Sequence, residues 1–222
     1  MYPGLNQNFI QHKRKVNVEA GTRCPLLCPG CSRTKHMLGL EDRKLEIGDL
    51  SVENLRLLVR PENKIQTIVY NMALGDPIYS ATIIEQLEYL KTIENRPKVL
   101  MSTNGSGRSQ EWWINFASLL NSSKDRIEFA IDGLSDTNHI YRVNAKWDSV
   151  MTGVRTLREH FVGPIMWRYI VFEHNFHQVT EAKKLAIEMG VNNFQAILGD
   201  DRTPEHMKLK SVPWSEIIEN IS

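Results

Sequence analysis

Six short apolar runs, at 16–20, 65–70, 98–102, 126–131, 165–172 and 193–198, alternate with five stretches of helical periodicity at 51–59, 81–92, 109–120, 147–160 and 176–189. Few folds satisfy that order. Parallel strands need a long crossover between them, usually a helix, so the alternation predicts a parallel sheet covered by helices. The boundaries carry matching punctuation. Ser51 precedes a helix with an acidic residue in its first turn, Asp148 sits near the start of the fourth helix, and Gly190 follows the fifth, where a residue without Cβ can take a left-handed cap. Six units are too few to close an eight-stranded barrel. The expected fold class is therefore α/β, a partial, curved (β/α)6 TIM-like barrel of parallel strands with outer helices, with an open doubly wound sheet as the other solution. Either way, ligand groups should gather at the C-terminal ends of the strands.

No internal repeat, low-complexity tract or linker interrupts this order, so residues 1–222 read as a single domain. The tail, 199–222, holds a polar stretch and a short helix from Trp214. A hydrophobic share of 41% with 24% charged residues suits one packed core rather than disorder. Twenty-seven basic residues balance twenty-six acidic ones without a run of one sign, so a nucleic-acid footprint is not indicated. No segment approaches the roughly 18 apolar residues of a membrane span, and residues 1–14 lack a signal-peptide core. No membrane association and a cytoplasmic location are the expectation.

The three cysteines all fall within eight residues, in Thr22-Arg23-Cys24-Pro25-Leu26-Leu27-Cys28-Pro29-Gly30-Cys31, directly after the first strand. That is the opposite of a disulfide framework spread along a secreted chain. Pro25, Pro29 and Gly30 oppose a regular helix there, so a loop wrapped around a ligand is predicted over 22–36. Thiolates suit iron–sulfur clusters or zinc. A [4Fe–4S] cube normally takes four cysteines, so three would leave one iron open to a chelating small molecule. A closed zinc site would instead recruit His36 as its fourth ligand.

The C-x3-C-x2-C triplet after a first strand resembles the signature of the radical S-adenosylmethionine (SAM) superfamily, and later segments fall into the same pattern. Asn71-Met72-Ala73-Leu74-Gly75-Asp76-Pro77, after the second strand, looks like the family's Gly-Gly-Glu-Pro loop. The resemblance implies SAM contacts at Gly75, Asp76 and Pro77, with Asp76 as an acceptor for the amino group. Ser102-Thr103-Asn104-Gly105 resembles the Thr-Asn-Gly segment that ends the third strand, and Ser102, Thr103 and Asn104 follow as polar cofactor contacts. Ile127 to Gly133, followed by Asp136, His139, Tyr141 and Arg142, is similar to a strand and loop of members that modify peptides and proteins, with Ala130 where those carry serine. By that likeness Asp132 contacts the ribose or organises the loop, and Arg142 forks onto the SAM carboxylate.

Arg168, charged within a buried strand, needs either SAM or a core carboxylate beside it. Ala196, in the last strand, is expected to lie against adenine through the backbone. Gly30 stands where many relatives have an aromatic residue before the third cysteine; the Cys-Pro-Gly-Cys form is similar to activating enzymes for glycyl-radical proteins. The resemblance implies a [4Fe–4S] cluster on Cys24, Cys28 and Cys31, with SAM on the open iron as the source of a 5′-deoxyadenosyl radical. It further implies an electron donor such as flavodoxin or ferredoxin, and a peptide or protein substrate. Asp200, Asp201 and Arg202 are candidate substrate contacts, with His174, His177 and Trp214 a less specific set. Two alternatives stand beside this reading: a glycyl-radical activase or nucleotide-modifying relative with the same chemistry, and a zinc-stabilised binding protein without catalysis. No cysteine follows Cys31, so no further cysteine-held cluster is available within this sequence.

Overall fold

The computed structural model describes residues 14–42, 44–199 and 209–212; the expected contacts at Asp200, Asp201 and Arg202 and the helix from Trp214 lie outside the described residues. Six strands, β1 (Arg14–Val18), β2 (Ile65–Tyr70), β3 (Lys98–Thr103), β4 (Arg126–Ala130), β5 (Ile165–Val171) and β6 (Asn193–Leu198), form one parallel sheet in chain order. Crossovers are made by α2 (Val52–Leu58), α3 (Ile83–Lys91), α4 (Gln110–Leu119), α6 (Trp147–His160) and α7 (Val179–Glu188). The strand order decides between the two expected architectures. A doubly wound sheet reverses direction at a switch point, whereas here every strand adds to the same side, as in a barrel. Among the described residues β1 and β6 each have a single neighbour, so the barrel is open, a partial (β/α)6.

Alternation along the strands separates two environments. Ile68 and Tyr70, Val99 and Met101, Ile127 and Phe129, and Trp167 and Tyr169 are at most 2% exposed and face the helices. Each such side chain contributes roughly 1.5–3 kcal/mol on burial. The intervening residues, Leu100, Ser102, Glu128, Arg168 and Ile170, turn to the concave side. Register pairs Ala196 with Tyr169, and Ala196 packs against the main core, while Ile197 pairs with Ile170 on the concave side. The Ala196 side chain is thus a core group, which leaves its backbone, as expected, for any adenine contact there.

The first strand was expected at 16–20, but its pairing ends where Val18 meets Tyr70. Beyond it the chain turns to a second partner: Leu50 N–H donates to the Ala20 carbonyl at 2.9 Å, Thr22 N–H to the Gly48 carbonyl at 3.0 Å, and Gly21 bridges Asp49 antiparallel. Two short helices escape the periodicity, α1 (Ser32–Met37) and α5 (Asn138–Tyr141). Both are too short to show an apolar stripe, and both enter the site below. The last predicted helix opens as a 3-10 turn, Phe176–Gln178, before α7. No described helix is long and apolar enough to cross a membrane.

Candidate active site

The cysteine segment leaves β1 as a loop and becomes helical only at its end, where the Cys31 carbonyl accepts from Lys35 N–H at 3.1 Å in the first turn of α1. Pro25, Pro29 and Gly30 keep it irregular, and the segment following α5 anchors it. Leu27 N–H donates to the Val143 carbonyl at 3.1 Å, and Asn144 Nδ2 to the Pro25 carbonyl at 3.2 Å. Leu26 and Cys28, 3% and 6% exposed, pack with Tyr141 and Phe172 in a small apolar cluster separate from the main core, with Leu209 against it.

Cys24, Cys28 and Cys31 line one cavity of about 250 Å³. Loops following β2, β3 and β4 bring Gly75, Asp76, Asn104 and Arg142 to the same wall, and Ile170 arrives from the end of β5. Every contributor comes from the C-terminal end of a strand, where parallel α/β architecture collects ligand groups. Gly75 is required by close packing, because a Cβ there would run into the Gly21 carbonyl and the Thr22 backbone. This glycine lets the loop after β2 lie against the cysteine loop.

Two polar networks hold the wall. Asp76, 1% exposed, accepts from Ile78 N–H at 3.1 Å and from Asn104 N–H at 2.6 Å and Asn104 Nδ2. Burial pushes its carboxyl up to about 6 against those donors. Fixed in this way, Asn104 Nδ2 also donates to Cys24 Sγ at 3.7 Å. In the second network Asp132, fully buried, pairs with Arg142 and accepts from Ile170 N–H. Burial opposes the charge on Arg142, but Asp132 and Cys28 outweigh it and hold the guanidinium protonated. Arg142 Nη1 then donates to Cys28 Sγ at 3.7 Å. Burial and the neighbouring Asp76 push the Cys24 thiol up to about 12, and burial raises Cys28 as well. Thiols in this state keep their protons at neutral pH until a metal displaces them.

Several expected cofactor contacts have other employment. Ser102 hydrogen-bonds Glu128, and Thr103, fully buried, serves Asp76 and accepts from Gly105 N–H at 3.0 Å. Pro77 is buried at the start of a 3-10 turn. Asp132 has no exposed surface to offer a ribose, which corrects that expectation in favour of organising the loop. Arg168 finds its core carboxylate in Glu128. None of these five lines the cavity.

Other wall residues were given no cavity role in the sequence. Arg33 is 7% exposed; its Nε donates to the Thr22 carbonyl at 3.1 Å, while its Nη1 is buried without a partner at the cavity. The signal was available two residues after Cys31, but a lone arginine in an unrecognised helix reads as surface. Tyr141 and Ile170 also line the wall. His36, on α1, is not part of the cavity lining. Among the described residues no three His, Cys, Asp or Glu side chains converge to hold one metal ion. The thiols instead ring a space with room for a multi-atom cluster. Three thiols, two cationic or amide donors aimed at their sulfurs and one buried guanidinium whose Nη1 has no partner among the described residues fit a thiolate-held iron–sulfur cluster with an anion-bearing ligand beside it.

The sequence matches the Radical SAM superfamily over residues 18–186, well over half of the chain, and the protein belongs to that superfamily. Among solved structures it is similar to SuiB of Streptococcus suis bound to S-adenosylmethionine, at 15% identity and a TM-score of 0.69, covering 93% of this chain and 46% of that one. SuiB bound to its precursor peptide SuiA matches at 14% identity and a TM-score of 0.63, over 84% of this chain and 39% of that one. The enzyme anSMEcpe with bound AdoMet matches at 16% identity and a TM-score of 0.64, over 83% of this chain and 49% of that one. At such identities the likeness is one of fold, and the chain spans less than half the length of these structures. No curated protein sequence matches it significantly.

Proposed function

We propose that Cys24, Cys28 and Cys31 hold a [4Fe–4S] cluster with one iron left for SAM, and that residues 1–222 act as one catalytic core on a peptide or protein. When bound, the pair supplies one-electron cleavage of the C5′–S bond, with methionine leaving and a 5′-deoxyadenosyl radical taking a hydrogen atom from the substrate. The electron comes from a low-potential donor of the flavodoxin or ferredoxin kind.

The observation that carries this reading is the shared cavity of three thiols with the buried Arg33 guanidinium, whose Nη1 has no partner among the described residues. Arg33 Nη1 would hold the carboxylate of the methionine moiety, the role first expected of Arg142. Arg142 and Asn104 would instead stabilise thiolate charge at Cys28 and Cys24, as donors to ligand sulfur do. Gly75 and Asp76 would shape the wall beside the methionine amino group, and Tyr141 and Ile170 would exclude water from it. A peptide substrate is supported by the structural likeness to SuiB, which has been seen with a precursor peptide.

Peptides from cells grown on deuterated amino acids test the hydrogen transfer. The reading expects 5′-deoxyadenosine one mass unit heavier than with ordinary peptides, and formation without deuterium would remove peptides as the hydrogen source. Replacing Arg33 by Gln is expected to weaken SAM binding in equilibrium dialysis by about tenfold or more with iron content retained, the scale of a hydrogen bond to a charged group.

A further inference from the structure

Below the cavity, on the concave side of the sheet, lies a polar set that the cysteine loop does not use. Arg168 Nη2 on β5 donates to Glu128 Oε2 on β4 at 2.8 Å, and Ser102 Oγ on β3 donates to Glu128 Oε1 at 3.0 Å. Ser102 and Arg168 stand two residues before Asn104 and Ile170, which line the cavity, and so share their face of the sheet. At about 3.3 Å per residue they lie roughly 7 Å deeper along the strands. A molecule reaching from the cavity into the interior meets the guanidinium next.

The pair is unequal. The Glu128 side chain is 7% exposed, that of Arg168 41%. Burying a carboxylate costs desolvation that an apolar filling of the same place would avoid, so stability alone does not account for it. What the arrangement achieves is a guanidinium held through Nη2 on a side chain that is 41% exposed, while its Nε is buried without a hydrogen-bond partner among the described residues. Register sets Ala130 and Gln195 beside Arg168, a methyl group on one flank and an exposed amide on the other, so the flanks leave room.

Charge on this face is graded along the strands. The same alternation and register put Lys15, Lys98 and Arg126 on the concave side, toward the N-terminal ends of β1, β3 and β4. Toward the other end stand Glu128, Asp132, which is paired with Arg142, and, past the end of β1, Glu19, whose carboxylate accepts from Ala73 and Leu74 N–H at 3.3 and 3.2 Å. Cations at the deep end of the concave surface favour anionic groups that reach into it.

We propose that Arg168, held by Glu128 and Ser102, determines specificity by gripping a carboxylate of the substrate, so that the peptide entering the concave face is acidic where it meets β5. This rests on the peptide reading given above and narrows it. The forked N–H edge of arginine matches a carboxylate, and lysine would supply the charge without that geometry.

The probes are two pools of fluorescent synthetic peptides, alike except that the varied positions hold Asp and Glu in one and Asn and Gln in the other. Fluorescence polarisation is read on reconstituted, SAM-loaded protein. The acidic pool is expected to bind at least about tenfold more tightly, and Arg168→Gln to abolish that preference, by the scale of hydrogen bonds to charged groups. Arg168→Lys should keep part of it, and Glu128→Gln, which loosens the anchor but not the charge, should reduce it less than Arg168→Gln does. Should Arg168→Gln not fold by circular dichroism, these two variants carry the test. Equal binding of the pools by the unaltered protein, or binding of neither, overturns the proposal. So does Arg168→Gln losing SAM affinity with pool preference intact, which would make Arg168 a cofactor ligand. Formation of 5′-deoxyadenosine is assayed in parallel: cleavage without pool preference sinks this inference alone, whereas preference without cleavage sinks the radical reading alone.

Discussion

The two sides of the same six strands are built to different ends. On the helix side, Ile127, Phe129, Trp167 and Tyr169 are 1% exposed or less, and the polar edges of the last two are satisfied, Trp167 Nε1 donating to the Ile131 carbonyl at 2.8 Å and the Tyr169 hydroxyl to the Asn175 carbonyl at 2.7 Å. One residue along each strand, the concave side carries Ser102, Glu128 and Arg168, and at the strand ends Asn104 and Asp132. Because strand parity assigns neighbours to opposite sides, packing and chemistry are held on one backbone without competing for the same positions. Substitutions on the helix side should therefore cost stability and spare ligand binding, and those on the other side the reverse.

The sharpest departure from wild type is expected for Cys28→Ala on the ligand side. Iron and sulfide content should fall far below wild type and SAM cleavage should vanish, while the thermal midpoint of the metal-free protein changes little. Trp167→Ala on the helix side should cost about 3–5 kcal/mol in urea unfolding, as large core truncations do, yet retain full iron content when reconstituted in the cold. Asp132→Asn tests the boundary between the sides, since it leaves Arg142 charged and buried with a weaker partner. A loss of about 3 kcal/mol is expected, together with faster amide exchange over residues 138–142. The smallest effect belongs to Glu128→Gln, under about 1 kcal/mol, because its partner is half-exposed to solvent. A loss as large as that of Trp167→Ala would show that the concave pair is structural after all.

Much of the architecture was legible because it rests on long periodic segments. The strands at 65–70 and 193–198 were read with their observed bounds, and the cysteine loop was read from two prolines and a glycine that forbid a helix. β1 was misplaced because Ala20 continues its apolar alternation while the Ala20 carbonyl is claimed by Leu50 N–H. Gly75, Asn104 and Arg142 were found in the wall, but what each touches was not readable. Arg142 was assigned to a ligand, whereas the pairing with Asp132 is a contact across ten residues that only the turn into α5 creates. Arg33 was missed for the converse reason, since nothing local distinguishes a buried arginine from an exposed one in a helix of six residues.

The central claim is that three thiols in one cavity leave an iron for SAM. Anaerobically reconstituted protein should carry roughly four irons and four sulfides per chain, and with a strong reductant should convert SAM to 5′-deoxyadenosine and methionine in equal amounts. Stoichiometric zinc without sulfide, or an intact iron–sulfur cluster that leaves SAM uncleaved under strong reductant, would contradict it.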